Sequence, residues 1–338
     1  MKSLHRSVLR QRGVTLVELL VALTLGLLVA IAAMATLIIG RTGFSSVDAT
    51  TQLVDRERFA ADTIARVVAQ AGYEDQSTNP LVTRAIVARL GGDPEPDLYG
   101  WNNAVYASPA TLAISTATTI TDGNRPGACG GISDTSCVNG SDVLLVRFQG
   151  SGSPTADGSM VNCRGQGERG LLTGNLNERA INVFYVARDA AGEPGLYCAY
   201  YDHGAATPAW VAGQPLVEGV ESMQVLYGTD SVTPSAAPPS ALGDTIVDRW
   251  LRADQLKVAG NAVATRENWR RVRAVRIGLV LRGPPGSAQE AVTATFNPLG
   301  SVYSHTSDAG SILNVAADGR LRRVVNFTVH LRNDLSTK

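Results

Sequence analysis

Glu18 is the residue whose position in the sequence most clearly predicts a chemical role. It is the single charged residue in an otherwise apolar run from Val14 to Gly40. A carboxylate in such a segment is costly to place in a membrane, so Glu18 is expected to have a partner or a function. Thr15 offers an alternative, because Thr-x-x-Glu is the capping box of a helix N-terminus and Glu18 would also complement the helix dipole. Both roles place Glu18 at the start of a helix.

Cysteines are the next candidates for chemistry, and the chain has four: Cys129, Cys137, Cys163 and Cys198. None forms a C-x-x-C pair, which argues against a zinc site or a thioredoxin-like redox centre. If this part of the chain is exported, the even number favours disulfides; unpaired buried thiols are the alternative. Cys129 with Cys137 would close a short glycine-rich loop, and Cys163 with Cys198 would tie a long loop to a hairpin.

Other patterns typical of binding or catalysis are weaker. The segment Gly165–Gly170 fits G-x-G-x-x-G, but neither a strand before it nor a helix after it is evident, so we expect a glycine-rich loop. Asp93–Asp97 is an acidic turn without the ordered ligand spacing of a calcium loop. The four histidines stand alone in the sequence: His5, His203, His305 and His330. We therefore predict no metal, no cofactor and no catalytic site.

The element that carries Glu18 is predicted to be a long helix. The run from Val14 to Gly40 would extend about 40 Å at about 1.5 Å per residue, and it exceeds the ~20 residues needed to cross a bilayer. Residues 41–72 continue with apolar residues at mostly helical spacing, and Gly72 is suited to end the helix. We predict one helix over residues 14–72, with a membrane part (14–40) and an amphipathic part (41–72).

The segment before the helix, residues 1–13, is basic. It carries Lys2, Arg6, Arg10 and Arg12 and no acidic residue. By the positive-inside rule this leader stays in the cytoplasm, which places the rest of the chain after Gly40 on the other side of the membrane.

Residues 73–338 are predicted to form a β-rich head. Five runs have the composition or alternation of strands: Asp142–Gln149, Ile181–Ala187, Leu196–Tyr201, Val272–Leu281 and Val324–Leu331. Such alternation suits an antiparallel sheet with one packed face. Ile246–Val258 is predicted to be a short helix, and the regions around 121–140, 150–180 and 228–245 are predicted to be loops. The expected fold class is α+β, with the C-terminal half of the long helix packed on the sheet.

The overall charge gives no sign of nucleic-acid binding. Lys+Arg and Asp+Glu both number 30, and charged residues make up 18% of the chain. A net charge of zero gives no general attraction for the phosphate backbone of a nucleic acid, so a nucleic-acid partner is not expected.

The segment Arg12–Leu20 resembles the processing site of type IV prepilins and pseudopilins. The shared pattern is a basic leader, a glycine, an apolar residue, Thr-Leu, an aliphatic residue and Glu. The resemblance implies that a prepilin peptidase cleaves after Gly13 and N-methylates the new N-terminal residue, Val14, where many family members have Phe. It also implies that the Glu18 carboxylate attracts the N-terminal amine of a neighbouring subunit and so docks it into a filament.

The remainder of the chain resembles the PilW group of minor pilins, which are related to the J-type pseudopilins of type II secretion. The residues that carry this likeness are Asp55–Phe59, Gly195–Cys198, Val217–Val225, Tyr227, Trp269 and Val329–Asn333. The length favours PilW, because J-type pseudopilins are generally shorter. The resemblance implies a pilin-like fold and a subunit that is scarce in the fibre, acting in a priming complex that starts assembly or at the pilus tip.

Three functions therefore compete. The first is a minor pilin of the type IV pilus, with the prepilin peptidase, other minor and major pilins, the inner membrane and the pilus assembly platform as partners. The second is a type II secretion pseudopilin. The third is a single-pass exported enzyme or binding protein in which the motif is a coincidence.

Overall fold

The structure is a computed structural model that describes residues 13–74, 96–106, 137–170, 179–202, 209–241 and 243–333. Its secondary structure consists of one long helix, one short helix and eleven strands among these residues. The leader up to Arg12 and the predicted loop at 121–136 lie outside the described residues.

The long helix α1 runs from Leu16 to Ala69. Its first described neighbours, Gly13 to Thr15, are not helical. At the other end, the backbone N–H groups of Gln70 and Ala71 donate to carbonyls three residues earlier, and Gly72 has a positive φ of 70°. A tighter last turn, followed by a glycine in the left-handed backbone conformation, is a common way for a helix to end. The predicted long helix is present, with ends within three residues of those expected.

The chain divides into two compact units, Met1–Asp48 and Ala49–Lys338, and the division falls within α1. In the second unit, one stripe of α1 belongs to the hydrophobic core: Leu53, Ala60, Ile64, Val67 and Val68, followed by Ala71. The spacing of these residues is that of a single helix face. The part of α1 from Ala49 onward is therefore an integral part of the second unit.

The larger sheet of the head has five antiparallel strands in the order β1-β2-β3-β4-β5. They are β1 (Leu98–Trp101), β2 (Val143–Phe148), β3 (Ala180–Arg188), β4 (Pro194–Asp202) and β5 (Ala209–Glu218). Strand β5 is an edge strand that contains Pro215, which is tolerated there because an edge N–H need not join the ladder.

The second sheet has four antiparallel strands in the order β11-β8-β6-β7. They are β6 (Val220–Thr229), β7 (Arg249–Leu251), β8 (Val272–Arg282) and β11 (Arg322–His330). A 3-10 turn (Ala253–Leu256) and the short helix α2 (Ala262–Arg270) connect β7 to β8, and a small ribbon of β9 (Ala294–Phe296) and β10 (Leu313–Val315) lies between β8 and β11 in sequence.

Trp269 of α2 forms the aromatic centre of the core, and its side chain is 1% exposed. Its ring lies 4.7 Å from the ring of Tyr99 in β1 and 4.7 Å from that of Tyr227 in β6. A Cβ atom at Gly100 would lie 1.8 Å from the Tyr227 hydroxyl oxygen, so β1 needs glycine there. Strands from both sheets therefore meet around one tryptophan.

The prediction of a short helix over Ile246–Val258 is wrong. The chain instead forms β7 and the 3-10 turn, because Trp250 pairs with Gly228 and Leu251 pairs with Tyr227 in the neighbouring strand β6. The five strands predicted from sequence correspond to β2, β3, β4, β8 and β11. The head contains two sheets and a ribbon where the sequence indicated a single sheet.

Candidate functional site

The N-terminal candidate residues form a closed capping box at the start of α1. Two donors of Thr15, its backbone N–H and its hydroxyl, bond the Glu18 Oε2 atom at 2.9 Å and 3.0 Å. In return, the Glu18 N–H donates to the Thr15 Oγ1 atom at 3.3 Å. Both donors use the same carboxylate oxygen, and no described residue donates to Glu18 Oε1. The capping interpretation of Thr15 and Glu18 is therefore correct, and it leaves one oxygen of the carboxylate available.

Gly13 and Val14 precede the first helical residue and are exposed. The peptide bond between them is thus outside the hydrogen-bonded helix, and its cleavage would break none of the bonds between Thr15 and Glu18. The capping box can exist both in the full-length chain and in a chain that begins at Val14.

The part of α1 between Leu19 and Ile39 carries no charged residue and is apolar on all its faces. Its most hydrophobic 18-residue window has a mean hydropathy of 2.6, and none of that window is buried within the protein. Large apolar side chains remain exposed from Leu16 to Ile39. By length and composition this part of α1 can cross a membrane, and its bare apolar surface needs lipid or neighbouring helices to cover it.

The far end of α1 is held to the head by hydrogen bonds from three directions. The Gln70 amide exchanges two bonds of 2.8 Å with the backbone of Val161. The Gly72 N–H donates to the Arg147 carbonyl in β2 at 3.0 Å, and the Asn333 amide donates to the Ala71 carbonyl at 2.9 Å. These bonds fix the C-terminal end of α1 to the head, so a force applied to this end of the helix would be transmitted into the head.

Cys163 and Cys198 form a disulfide, the pairing that the sequence suggested. It connects the loop at residues 151–170, which bonds Gln70, to the central part of β4. Cys137 is disulfide-bonded as well, whereas its proposed partner, Cys129, lies outside the described residues. The disulfide and the Gln70 contact together hold this loop between α1 and the five-stranded sheet.

Several buried charged groups link parts of the head that are distant in sequence, and the sequence patterns did not indicate them. The Asp142 carboxylate accepts N–H groups from Asn103 and Val225 at 2.8 Å each, and burial raises its pKa well above the ordinary value. Buried Glu221 of β6 pairs with Arg322 of β11 at 2.5 Å. The two carboxylates are 3% and 2% exposed, and their bonds link strands that are distant in sequence.

The remaining sequence candidates do not come together. Gly165–Gly170 lies in an irregular loop with one isolated bridge, between Val161 and Gly167. His305 bonds Ser307 through its Nδ1 atom at 2.7 Å, and His330 lies at the end of β11. Asp97 pairs with Arg179, whereas residues 93–95 and two histidines, His5 and His203, lie outside the described residues. No group of three or more potential metal ligands occurs in the described part of the chain.

Comparisons with known proteins found two family models and a solved structure that are similar to this chain. The family model "Prokaryotic N-terminal methylation motif" matches residues 9–34, and the model "Type IV Pilus-assembly protein W" (PilW) matches residues 183–333. A type IV-like pilin from Thermus thermophilus is similar in structure, with 16% identity, 82% of this chain and 95% of that chain covered, and a TM-score of 0.37. None of the curated proteins matches the sequence.

The two matches cover the segments that the structure singles out. The methylation motif contains the capping box and the exposed apolar helix, and the PilW match contains β4, β6, α2, β8 and β11. The chain has an α+β fold with one long N-terminal helix and antiparallel sheets. These two matches identify it as a type IV pilin-like protein whose residues 183–333 are similar to PilW.

Proposed function

We propose that a prepilin peptidase cleaves this chain after Gly13 and methylates the amine of Val14. The observation that carries the proposal is the N-terminal geometry: the bond after Gly13 lies outside the helix, and the capping box begins two residues later. The match of residues 9–34 to the methylation motif supports the same processing step. Cleavage would leave a cationic amine next to a helix whose apolar surface is exposed.

We further propose that Glu18 has two roles. In one chain its Oε2 atom caps the helix through Thr15. Its Oε1 atom would accept the N-terminal amine of a neighbouring subunit. In a low-dielectric environment this attraction is strong, although desolvation of the two charges offsets much of it. The pair would therefore act mainly to set the register of the incoming helix.

The size of the head favours a role at the start of pilus assembly. The second compact unit covers Ala49–Lys338, which is most of the chain, and a head of this size would crowd closely packed helices in a fibre. This argues for a scarce subunit in a priming complex or at the tip, in contact with other minor and major pilins and with the assembly platform. The apolar helix would hold it in the inner membrane, with the basic leader in the cytoplasm and the head in the periplasm.

A deletion strain tests this function. Loss of piliation and twitching, restored by the full-length gene, is the expected result. Loss of enzyme secretion with normal piliation would instead assign the chain to type II secretion. Normal piliation and secretion together would favour an exported enzyme or binding protein anchored by the helix.

A further inference from the structure

The four-stranded sheet carries an arginine whose side chain contacts two aromatic rings. The guanidinium carbon of Arg276 in β8 lies 4.6 Å from the centre of the Trp250 ring and 4.9 Å from the centre of the Tyr303 ring. Its Nε atom donates to the Thr328 hydroxyl at 3.3 Å. We name Trp250, Arg276 and Tyr303 the arginine clamp. The two ring contacts, together with the bond to Thr328, restrict the movement of the guanidinium.

Close packing at two glycines places the Trp250 ring and the segment that leads to Tyr303 against the sheet. Trp250 lies in β7 opposite Gly228, where a Cβ atom would be 3.1 Å from the Trp250 ring, so the glycine makes room for the indole. Tyr303 ends the 3-10 turn Ser301–Tyr303. The backbone of Pro298, just before this turn, packs directly on Gly278 of β8. A Cβ atom at position 278 would lie 2.3 Å from the Pro298 carbonyl oxygen, so the close approach needs glycine. The packing at Gly228 and Gly278 therefore helps to position the residues that contact Arg276.

The charge of Arg276 is not neutralised by any acidic residue in the described part of the chain. Arg282, on the same strand, pairs with Glu193 at 2.8 Å. No described residue accepts a hydrogen bond from the Nη atoms of Arg276, from the Trp250 indole N–H or from the Tyr303 hydroxyl. An oriented guanidinium with free terminal donors matches the two oxygens of a carboxylate.

The surroundings of the clamp favour a protein partner. Val302, next to Tyr303, is 88% exposed. Tryptophan, tyrosine and arginine are the residues most enriched at interface hot spots, and the clamp has one of each beside this apolar side chain. A polysaccharide would need an open aromatic face for stacking, but the Arg276 side of each ring is already occupied.

We propose that the arginine clamp is a docking site for an Asp or Glu side chain of a partner protein, with Val302 contacting an apolar residue beside that acid. This site goes beyond the function proposed above, because neither peptidase processing nor the N-terminal helix involves it. The partner is defined by its chemistry: a folded surface that presents a carboxylate next to an apolar side chain.

Photo-crosslinking of the full-length chain in cells tests this site. Val302 is replaced by the photo-crosslinking amino acid p-benzoylphenylalanine, and the adduct is analysed by mass spectrometry. The expected result is a protein adduct whose crosslinked peptide contains Asp or Glu. Arg276→Gln should lower the adduct yield about tenfold or more, because it leaves the partner carboxylate unpaired. Arg276→Lys should also lose most of the adduct, since an ammonium group lacks the planar fork.

Arg249→Gln is the matched control. It makes the same change in charge at an exposed residue next to Trp250 and should leave the adduct yield unchanged. Immunoblotting checks that each variant is present in equal amounts. In a charge-exchange experiment, Arg276→Glu is combined with a partner in which the acidic residue is replaced by Arg, and this combination should restore the adduct. The proposal is overturned by an absent adduct, by an adduct to lipid or polysaccharide, or by a yield that Arg276→Gln or Arg276→Lys does not change.

Discussion

Gln70 and Val161 exchange two hydrogen bonds of 2.8 Å, one from the Gln70 side-chain amide to the Val161 carbonyl and one from the Val161 N–H to the Gln70 side-chain oxygen. Gln70 directly follows the last residue of α1, and Val161 lies two residues before the disulfide-bonded Cys163. This reciprocal pair connects the end of α1 to the loop at residues 151–170, and through the disulfide to the middle of the five-stranded sheet.

Gln70→Leu is expected to destabilise the head by about 1–3 kcal/mol, because it leaves the N–H and C=O groups of Val161 without their partners. Urea unfolding of the detergent-solubilised chain, followed by tryptophan fluorescence, measures the change. Gln289→Leu makes the same substitution at an exposed position outside the helices and strands and is the control. Equal stability of the two variants would show that the reciprocal pair does not stabilise the head.

The disulfide between Cys163 and Cys198 closes a loop with a sequence separation of 35. Replacing both cysteines by serine is expected to cost about 2–4 kcal/mol, chiefly because the unfolded chain loses a constraint. Thermal unfolding of the full chain measures the loss. Peptide mapping without reduction is the companion experiment: it should recover the peptide that joins these two cysteines, and a link from Cys137 to Cys163 would contradict the pairing.

Glu168 makes the stability of the head depend on pH. Its side chain is 3% exposed, and burial raises its pKa from 4.5 to about 7, although a hydrogen bond from Asn162 opposes the shift. Nearby Asp202 raises the pKa further and Arg169 lowers it. Between pH 4.5 and 7 the folded protein keeps a proton that the unfolded chain has released. Stability should therefore fall as the pH rises through this window, by on the order of 3 kcal/mol in total.

Urea unfolding at several pH values from 4.5 to 7.5 measures this dependence, and Glu168→Gln isolates it. The variant cannot ionise, so its stability should change less across the window than that of the wild type. Glu290→Gln removes an exposed carboxylate and should behave like the wild type. Parallel pH curves for Glu168→Gln and the wild type would show that Glu168 ionises normally in the folded state.

Two substitutions of Glu18 separate its charge from its capping role. Glu18→Gln keeps a side chain that can complete the capping box but removes the charge, whereas Glu18→Ala removes both. If Glu18 attracts the amine of a neighbour, both variants should be cleaved normally and both should enter the fibre poorly, as measured by immunoblotting of sheared pili. Normal incorporation of Glu18→Gln with poor incorporation of Glu18→Ala would leave capping as its main role.

The parts of this protein that the sequence revealed are those with local patterns. The long helix follows from an uninterrupted apolar run and a helical repeat, and the capping box follows from two residues three positions apart. By contrast, β6 buries polar residues (Glu221 and Gln224) as well as apolar ones, and the partners that make this possible are distant in sequence. The helix expected over Ile246–Val258 is replaced by β7 because Trp250 and Leu251 find partners in β6, a contact that no local pattern encodes.

The functional residues also divide into those with a local sequence pattern and those that only the fold brings together. Gly13, Val14, Thr15 and Glu18 are consecutive or nearly so, and their motif can be recognised without a structure. The arginine clamp takes its residues from β7, β8 and a 3-10 turn, and only the fold brings the two ring centres within 5 Å of the Arg276 guanidinium carbon. The pair of Gln70 with Val161 likewise depends on the path of the disulfide loop.

The central claim is that this chain is processed as a prepilin, and the mass of its mature N-terminus tests that claim most directly. The protein is purified from cells that contain an active prepilin peptidase, and its N-terminal peptide is sequenced by mass spectrometry. We expect the peptide to begin at Val14 and to carry one methyl group on its amine. An N-terminus that retains the leader, or one that begins at a residue other than Val14, would contradict the account.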